Sequence, residues 1–171
     1  MSNATLRYLS SARKIADYAS ALGVLTVSVP QRSRVDHLGA AVADAVLQAG
    51  VNYHTVVLPR VRRIYNVFPN ARTLTGVVAI VNNGSASDFL LWSHAVKISR
   101  FASVVQLLHA KGLETTCEVR SWLPSIEARS KLLAIHGVGP KTYDYLSGLL
   151  GVDCLAVDRH VVSFARQAGV I

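Results

Sequence analysis

Apolar residues recur along this chain at intervals of three or four, the spacing that places them on one face of an α-helix. The first such stretch runs from Thr5 to Leu22 and is followed by Gly23. The same spacing predicts further helices over residues 37–49, 53–67, 73–81, 96–110, 118–122 and 126–135, and a short one that begins at 87 or 88. Asp36 is the expected N-cap of the second helix, and Pro59 must kink the third or start it afresh.

Residues 24–33, with the sequence VLTVSVPQRS, form the single candidate strand. Pro30 and the lack of a partner strand favour an extended connector. Strands and helices do not alternate, so a parallel α/β sheet is not expected and the sequence predicts an all-α protein. A length of 171 residues suits one domain. We divide it into an N-terminal helix and connector (1–35), a helical body (36–150) and a final helix (151–171).

The composition supports a folded, basic protein. Apolar residues make up 51% of the chain and charged residues 16%, which excludes a disordered tail. There are 18 Lys and Arg against 10 Asp and Glu, a net charge of +8 that favours polyanionic partners such as DNA. Without a long apolar run or a signal-peptide core, we expect a cytoplasmic protein with no membrane contact. Cys117 and Cys154 share no metal-ligand spacing, so no metal site is expected.

Residues 125–150 form the most informative stretch of the sequence. Two amphipathic helices are predicted there, and they flank His136-Gly137-Val138-Gly139-Pro140. Gly137 and Gly139 allow backbone conformations closed to other residues, and Pro140 suits the first position of a helix. The pattern predicts a helix-hairpin-helix, and the alternative is an ordinary αα-corner with a glycine turn.

A hairpin of this kind can hold a phosphate group. A turn without bulky side chains lets backbone N–H groups approach a surface, and the N-terminus of the second helix adds the positive end of its dipole. Such contacts position a protein on nucleic acid without reading its sequence. The predicted DNA contacts of the hairpin are His136, Gly137, Val138, Gly139 and Thr142, and Lys141 could add to them.

A second motif follows the hairpin. Seventeen residues after Lys141, Asp158 stands between an apolar triplet and a further amphipathic stretch, which is an N-cap position. The intervening length lets the chain double back, so that the two helix starts could face one cleft. The spacing alone does not prove this.

The segments LLAIHGVGPKTYDYL and LAVDRHVVSFAR together resemble the signature of the helix-hairpin-helix–Gly/Pro–Asp superfamily of DNA glycosylases, the endonuclease III-like enzymes. Members show a hairpin of the type L-P-G-V-G-x-K-T, followed by an apolar-V-D-x-H motif. The resemblance is specific over residues 126–166 and extends more loosely back to Asp36. There the family has a helix pair whose junction often holds a Gln facing the DNA, and Gln48 lies near that junction with Asn52 close by.

The resemblance implies a six-helix barrel domain with the hairpin at 126–150 and a second helical part flanking a catalytic cleft. It also implies a monomeric repair enzyme that flips a damaged base out of duplex DNA and cleaves its glycosidic bond. Lys141 would be the nucleophile, attacking the sugar C1′ to form a Schiff base before β-elimination nicks the strand. Asp158 would be the catalytic carboxylate, and Gln48 and Asn52 would contact the DNA.

Three features depart from the family pattern. His136 stands where the family usually has Pro, which could loosen the entry to the hairpin or direct an imidazole to solvent or to DNA. Two cysteines cannot form the four-cysteine loop that holds an iron–sulfur cluster in many relatives. We therefore expect no cofactor, and a monovalent cation at the hairpin backbone stays open. The sequence ends 13 residues after Asp158, so the flanking part is expected to be minimal or incomplete.

Two other functions stay open. One is a non-catalytic helix-hairpin-helix module that binds DNA, and the other is a helical protein–protein domain whose charge is incidental. The pair of Lys141 and Asp158 favours the enzyme over the module, because a pure binding module needs no such carboxylate. Lys97 and Arg100, at the start of a predicted long helix, either grip a DNA strand or lie on a solvated face.

Overall fold

The computed structural model of the protein describes residues 3–24 and 35–171. Within these ranges it is helical and contains no strand, which confirms the predicted all-α class. The α-helices are α1 (Asn3–Ala21), α2 (Leu38–Leu47), α3 (Leu58–Val67), α4 (Leu74–Asn82), α5 (Ala86–Leu90), α6 (Ala95–Ala110), α7 (Thr116–Trp122), α8 (Ile126–Leu133), α9 (Pro140–Leu149) and α10 (Arg159–Gln167). Apart from Val24, the predicted connector lies outside the described residues.

The chain divides into two compact units, one combining Met1–Arg32 with Val157–Ile171 and the other comprising Ser33–Ala156. In the first unit α1 packs on α10. The ring of Tyr18 meets that of Phe164 edge-on, with centroids 5.1 Å apart, and its hydroxyl donates to Gln167 Oε1 over 3.0 Å. The prediction of one domain with three parts stays a prediction.

Helix α2 forms the centre of the second unit. All ten of its residues are buried, and it packs against α3, α4, α6 and α9. The predicted apolar stripe is confirmed, but the core surrounds the helix rather than lining one face. Small residues allow this close packing: a Cβ at position 39 would lie 3.0 Å from the carbonyl oxygen of Ala71 and from the Phe89 ring.

The N-cap of α2 is His37, so the expectation of Asp36 was wrong. The imidazole is fully buried, its Nδ1 accepts the N–H of Ala40 over 3.2 Å, and its Nε2 lies 3.0 Å from the carbonyl oxygen of Phe68. Because Nδ1 is an acceptor, the ring is neutral with its proton on Nε2. Burial lowers the pKa of His37 and favours this form. Asp36 instead pairs with Arg72 over 2.6 Å on the surface.

Several helix boundaries depend on caps and turns that the apolar pattern does not reveal. A π-helical turn, Tyr53–Val57, leads directly into α3, and Pro59 lies in the first turn of α3, so the helix starts afresh rather than kinks. Helix α5 starts at Ala86, one residue before the predicted range. Helix α7 starts at Thr116, two residues before the prediction, because Thr115 and Glu118 form a capping box.

No helix in the described ranges is long and apolar enough to cross a bilayer.

Candidate nucleic-acid interface

In the second unit a turn at residues 134–139 joins α8 and α9, as expected for either a helix-hairpin-helix or an αα-corner, and we refer to α8, the turn and α9 as the hairpin. The N–H of Val138 donates to the carbonyl of Ile135 over 2.9 Å and closes the turn. Gly137 has φ +80°, a left-handed conformation that favours glycine. Pro140 is the first residue of α9, as predicted.

The two glycines of the turn have different roles. Gly139 has φ −96° and ψ 177°, an extended conformation open to any residue, so the expectation that it needs a special conformation was wrong. A Cβ at position 139 would meet nothing within 4 Å. A Cβ at position 137 would fall on the guanidinium of Arg100. Glycine at position 137 therefore permits both the left-handed turn and the close approach of Arg100, whereas Gly139 leaves open space at the start of α9.

The turn is anchored to the core from beneath. Val138 is 5% exposed and belongs to the main apolar cluster, together with Tyr143 and Leu146 of α9. The hydroxyl of Tyr143 donates to the carbonyl of Leu123. With its side chain buried and its N–H bonded to Ile135, Val138 acts as an anchor, and the exposed part of the turn consists of its neighbours.

The exposed side of the turn presents backbone donors. In the part of the chain that the structure describes, the N–H groups of Gly137, Gly139 and Thr142 donate no hydrogen bond, and no side chain caps α9. The first N–H groups of a helix have no partner inside the helix, and they carry the positive end of its dipole. His136 and Lys141 are exposed beside them. This arrangement can bind an anion.

A second group of predicted contacts lies at the C-terminal end of α2. Gln48 is the C-cap of α2, and its buried Nε2 has no hydrogen-bond partner among the described residues. Asn52 is the N-cap of the π-helical turn, where its Oδ1 accepts the N–H of Thr55 over 3.1 Å. A buried amide donor without a partner is uncommon in folded proteins. The predicted DNA contacts of Gln48 and Asn52 stay predictions.

The structure connects α2 to the hairpin through a buried carboxylate that the sequence analysis missed. Asp44 is 4% exposed and accepts hydrogen bonds from the hydroxyls of Tyr53 and Tyr145, each over 3.2 Å. Burial and the charge of Asp44 raise the pKa of Tyr145, so its hydroxyl remains a donor. An acidic residue inside an apolar helix was the signal in the sequence, because such a residue needs partners when buried.

The side chain of Lys97, in the first turn of α6, binds backbone carbonyl groups at the end of α2. Lys97 donates to the carbonyls of Leu47 and Ala49 over 2.6 and 2.7 Å, and its ammonium group lies 4.6 Å from the centre of the Trp92 ring. Burial and the neighbouring charge of Arg100 lower the pKa of Lys97. The two alternatives for Lys97, a contact with a DNA strand or a solvated face, stay predictions. Lys97 stabilises the end of α2 beside Gln48.

Asp158 lies in the other unit, at the start of α10. Its Oδ1 accepts the N–H groups of His160 and Val161 over 2.9 and 3.2 Å, which confirms the predicted N-cap. Lys141 is the second residue of α9. The predicted roles of Lys141 and Asp158 as a catalytic pair stay predictions.

In the described ranges, no group of three or more His, Cys, Asp or Glu side chains is placed to hold a metal ion. No family model matches this chain, and neither a curated protein nor a solved structure shows significant similarity to it.

Proposed function

We propose that this protein binds duplex DNA through the hairpin turn and α9, and that it excises damaged bases as a DNA glycosylase with lyase activity. The observation that carries the proposal is the turn itself. It combines a left-handed Gly137, open N–H groups at Gly139 and Thr142, and an exposed Lys141 at one helix start. The net charge of +8 supports a polyanionic partner.

The proposed chemistry assigns one role to each of two side chains. Neutral Lys141 attacks the sugar C1′ of a flipped nucleotide, a C–N bond forms, and the base leaves with the electrons of the glycosidic bond. The ring opens to an imine, and β-elimination then releases the 3′ side of the strand. Asp158 as an anion stabilises the positive charge that develops on the sugar. The expected scaffold is the endonuclease III-like fold, in which Gln48 and Asn52 meet the DNA near the flipped base.

The decisive experiment is trapping of the imine with borohydride on duplexes that carry oxidised, alkylated, deaminated or abasic sites. A covalent protein–DNA adduct is expected only when both reductant and a competent substrate are present. Lys141→Gln should abolish the adduct. Lys131→Gln is the matched control, because Lys131 is also an exposed lysine of the same hairpin but lies on α8, 3.9 Å from Glu127. Equal adduct yield in Lys141→Gln would assign the chemistry to another amine.

A non-catalytic DNA-binding hairpin is the second candidate. It is favoured by one observation, that the Asp158 carboxylate already caps two backbone N–H groups of α10. A folded wild-type protein that binds duplex but forms no adduct with any substrate would support this candidate and exclude the enzyme.

A further inference from the structure

The long helix α6 meets the hairpin at one arginine. Arg100 Nε donates to the carbonyl of His136 over 3.0 Å, and its guanidinium lies against Gly137, where any other residue would place a Cβ. The contact joins two segments 36 residues apart in the sequence. It accounts for glycine at position 137 independently of the backbone angle, since the guanidinium needs the space.

Most of the hydrogen-bonding capacity of Arg100 is unused. A guanidinium has five N–H donors, and the bond to His136 takes one of them. In the described ranges, neither Nη1 nor Nη2 of Arg100 donates a hydrogen bond. An arginine whose Nε is held by a carbonyl keeps its remaining donors in one plane and one direction, which suits an oxygen-rich anion.

These donors border a cleft of about 270 Å³ between α6 and the hairpin. We call it the α6 cleft, and it is lined by Ala95, Val96, Ser99, Arg100, Ser103, Ile135 and His136. Two hydroxyls, a guanidinium and an imidazole supply the polar lining, and the described lining contains no carboxylate. The volume lies below the range of about 300–1,000 Å³ that is usual for drug-sized ligands, so a smaller anionic group suits it.

We propose that the α6 cleft binds a phosphodiester group of the DNA strand, next to the phosphate that meets the hairpin N–H groups, and that Arg100 is its principal ligand. The proposal rests on the proposed DNA binding and extends it to a second phosphate. Arg100 connects the two positions physically, because the same side chain holds the His136 carbonyl and faces the cleft. Ser99 and Ser103, one helical turn apart, add hydroxyl donors.

The test measures duplex affinity as a function of salt concentration. Each phosphate neutralised by a cationic side chain contributes about −0.9 to the slope of log K against log salt. We expect Arg100→Gln to make the slope shallower by about one and to weaken binding at least tenfold at low salt. Arg100→Lys should restore the slope. Arg120→Gln removes the same charge from α7, away from the cleft lining, and should leave the slope near wild type.

The slope separates a phosphate ligand from a residue that only supports the turn. If Arg100 merely positioned the turn, Arg100→Gln would weaken binding with an unchanged slope, and that result would overturn the proposal. A wild-type protein without salt-dependent duplex binding would instead overturn the proposed function together with this site. If inorganic phosphate competes with duplex more strongly than chloride of equal ionic strength, and Arg100→Gln keeps the wild-type slope, the cleft binds free phosphate and the proposal also fails.

A second pair of variants leaves the contact between Arg100 and His136 in place. Ser103→Asp puts a carboxylate into the α6 cleft, where it should pair with Arg100 and repel a phosphodiester. Ser103→Asn is nearly the same size without the charge. We expect at least tenfold weaker duplex binding for the aspartate and less than twofold for the asparagine. Equal affinities in two folded variants would exclude a phosphate from the cleft.

Discussion

The first turns of α9 and α10 are both helical, but they differ in whether their backbone N–H groups are hydrogen-bonded. The N-cap of α10 is Asp158, whose carboxylate accepts two backbone N–H groups of the first turn. The N-cap of α9 is Gly139, which has no side chain to offer, and the N–H groups of Gly139 and Thr142 donate no hydrogen bond within the described part of the chain. Asp158 satisfies two N–H groups at the start of α10, whereas the N–H groups of Gly139 and Thr142 are open to an outside acceptor.

The difference follows from which residue occupies the N-cap position. An N-cap Asp, Asn or Ser stabilises a helix by about 1 kcal/mol relative to Ala, and Gly costs only a few tenths relative to those caps. Gly139 therefore sacrifices little stability while keeping the donors of α9 accessible. The left-handed Gly137 completes the open surface by removing the side chain that would otherwise displace Arg100.

The largest expected effect comes from a substitution of Asp158, the N-cap of α10. Asp158→Asn keeps the cap, because Asn and Asp are equally good N-caps, but it removes the negative charge. Base excision should fall by about 10²–10³-fold, the usual loss when one electrostatic stabiliser of a transition state is removed. Single-turnover excision of a damaged base, with duplex binding measured in parallel, checks this.

Asp158→Ala is the comparison variant. It should lose the cap as well, with about 1 kcal/mol less stability in chemical unfolding than Asp158→Asn. If Asp158→Asn excises at the wild-type rate, the carboxylate is a cap alone, and the contrast between the two helix starts has no catalytic meaning.

The next largest effect comes from a substitution of Gly137, in the turn before α9. Gly137→Ala forces a Cβ into a backbone conformation with φ +80° and onto the guanidinium of Arg100. We expect a loss of about 1–2 kcal/mol in the free energy of unfolding, the usual cost of the left-handed region for a residue with a Cβ. Urea denaturation measures it. Gly112→Ala is the control, since Gly112 also has positive φ but a Cβ there meets nothing within 4 Å.

Gly137→Ala should lose at least as much stability as Gly112→Ala, and only Gly137→Ala should weaken duplex binding. Weakened binding in both would mean that general destabilisation, rather than the hairpin surface, limits affinity.

The smallest expected effect comes from giving α9 a side-chain N-cap like that of α10. Gly139→Ser fits the extended backbone and meets open space, and its hydroxyl can accept the N–H of Thr142. Stability should rise by about 0.5 kcal/mol. Duplex affinity should fall by about tenfold, because a charge-assisted hydrogen bond to phosphate contributes about 1.5 kcal/mol.

Opposite signs for stability and affinity in Gly139→Ser would be hard to explain unless the N–H groups of α9 serve a ligand. A variant that gains stability and binds DNA as well as wild type would show that these donors are not used in the complex.

Local signals account for what the sequence predicted correctly. The two glycines, Pro140 and the flanking apolar spacing define the hairpin within a few residues, and Asp158 is recognisable as a cap from its immediate neighbours. The capping box of Thr115 and Glu118 was also visible in the sequence, yet the helix was predicted to start at Glu118. That error came from following apolar spacing alone.

Contacts between distant segments account for what the sequence did not predict. Asp36 and His37 are both polar residues before α2, and the choice between them depends on Phe68, whose carbonyl holds the buried imidazole. The role of Arg100 likewise depends on a carbonyl 36 residues away. Partners at such separations arise only once helices pack, and no periodicity within one helix encodes them.

Because α2 is buried by later segments of the chain, it is synthesised before the helices that cover it. Asp44 reaches Tyr145 across 101 residues, and α2 packs against α9, the last helix of its unit. At synthesis rates of about 5–20 residues per second, α2 leaves the ribosome many seconds before α9 exists. During that interval an almost wholly apolar helix with a lone carboxylate lacks its partners and resembles a nascent-chain binding site for chaperones. Helix α2, which is fully buried in the folded protein, is thus exposed to solvent while the rest of the chain is being synthesised.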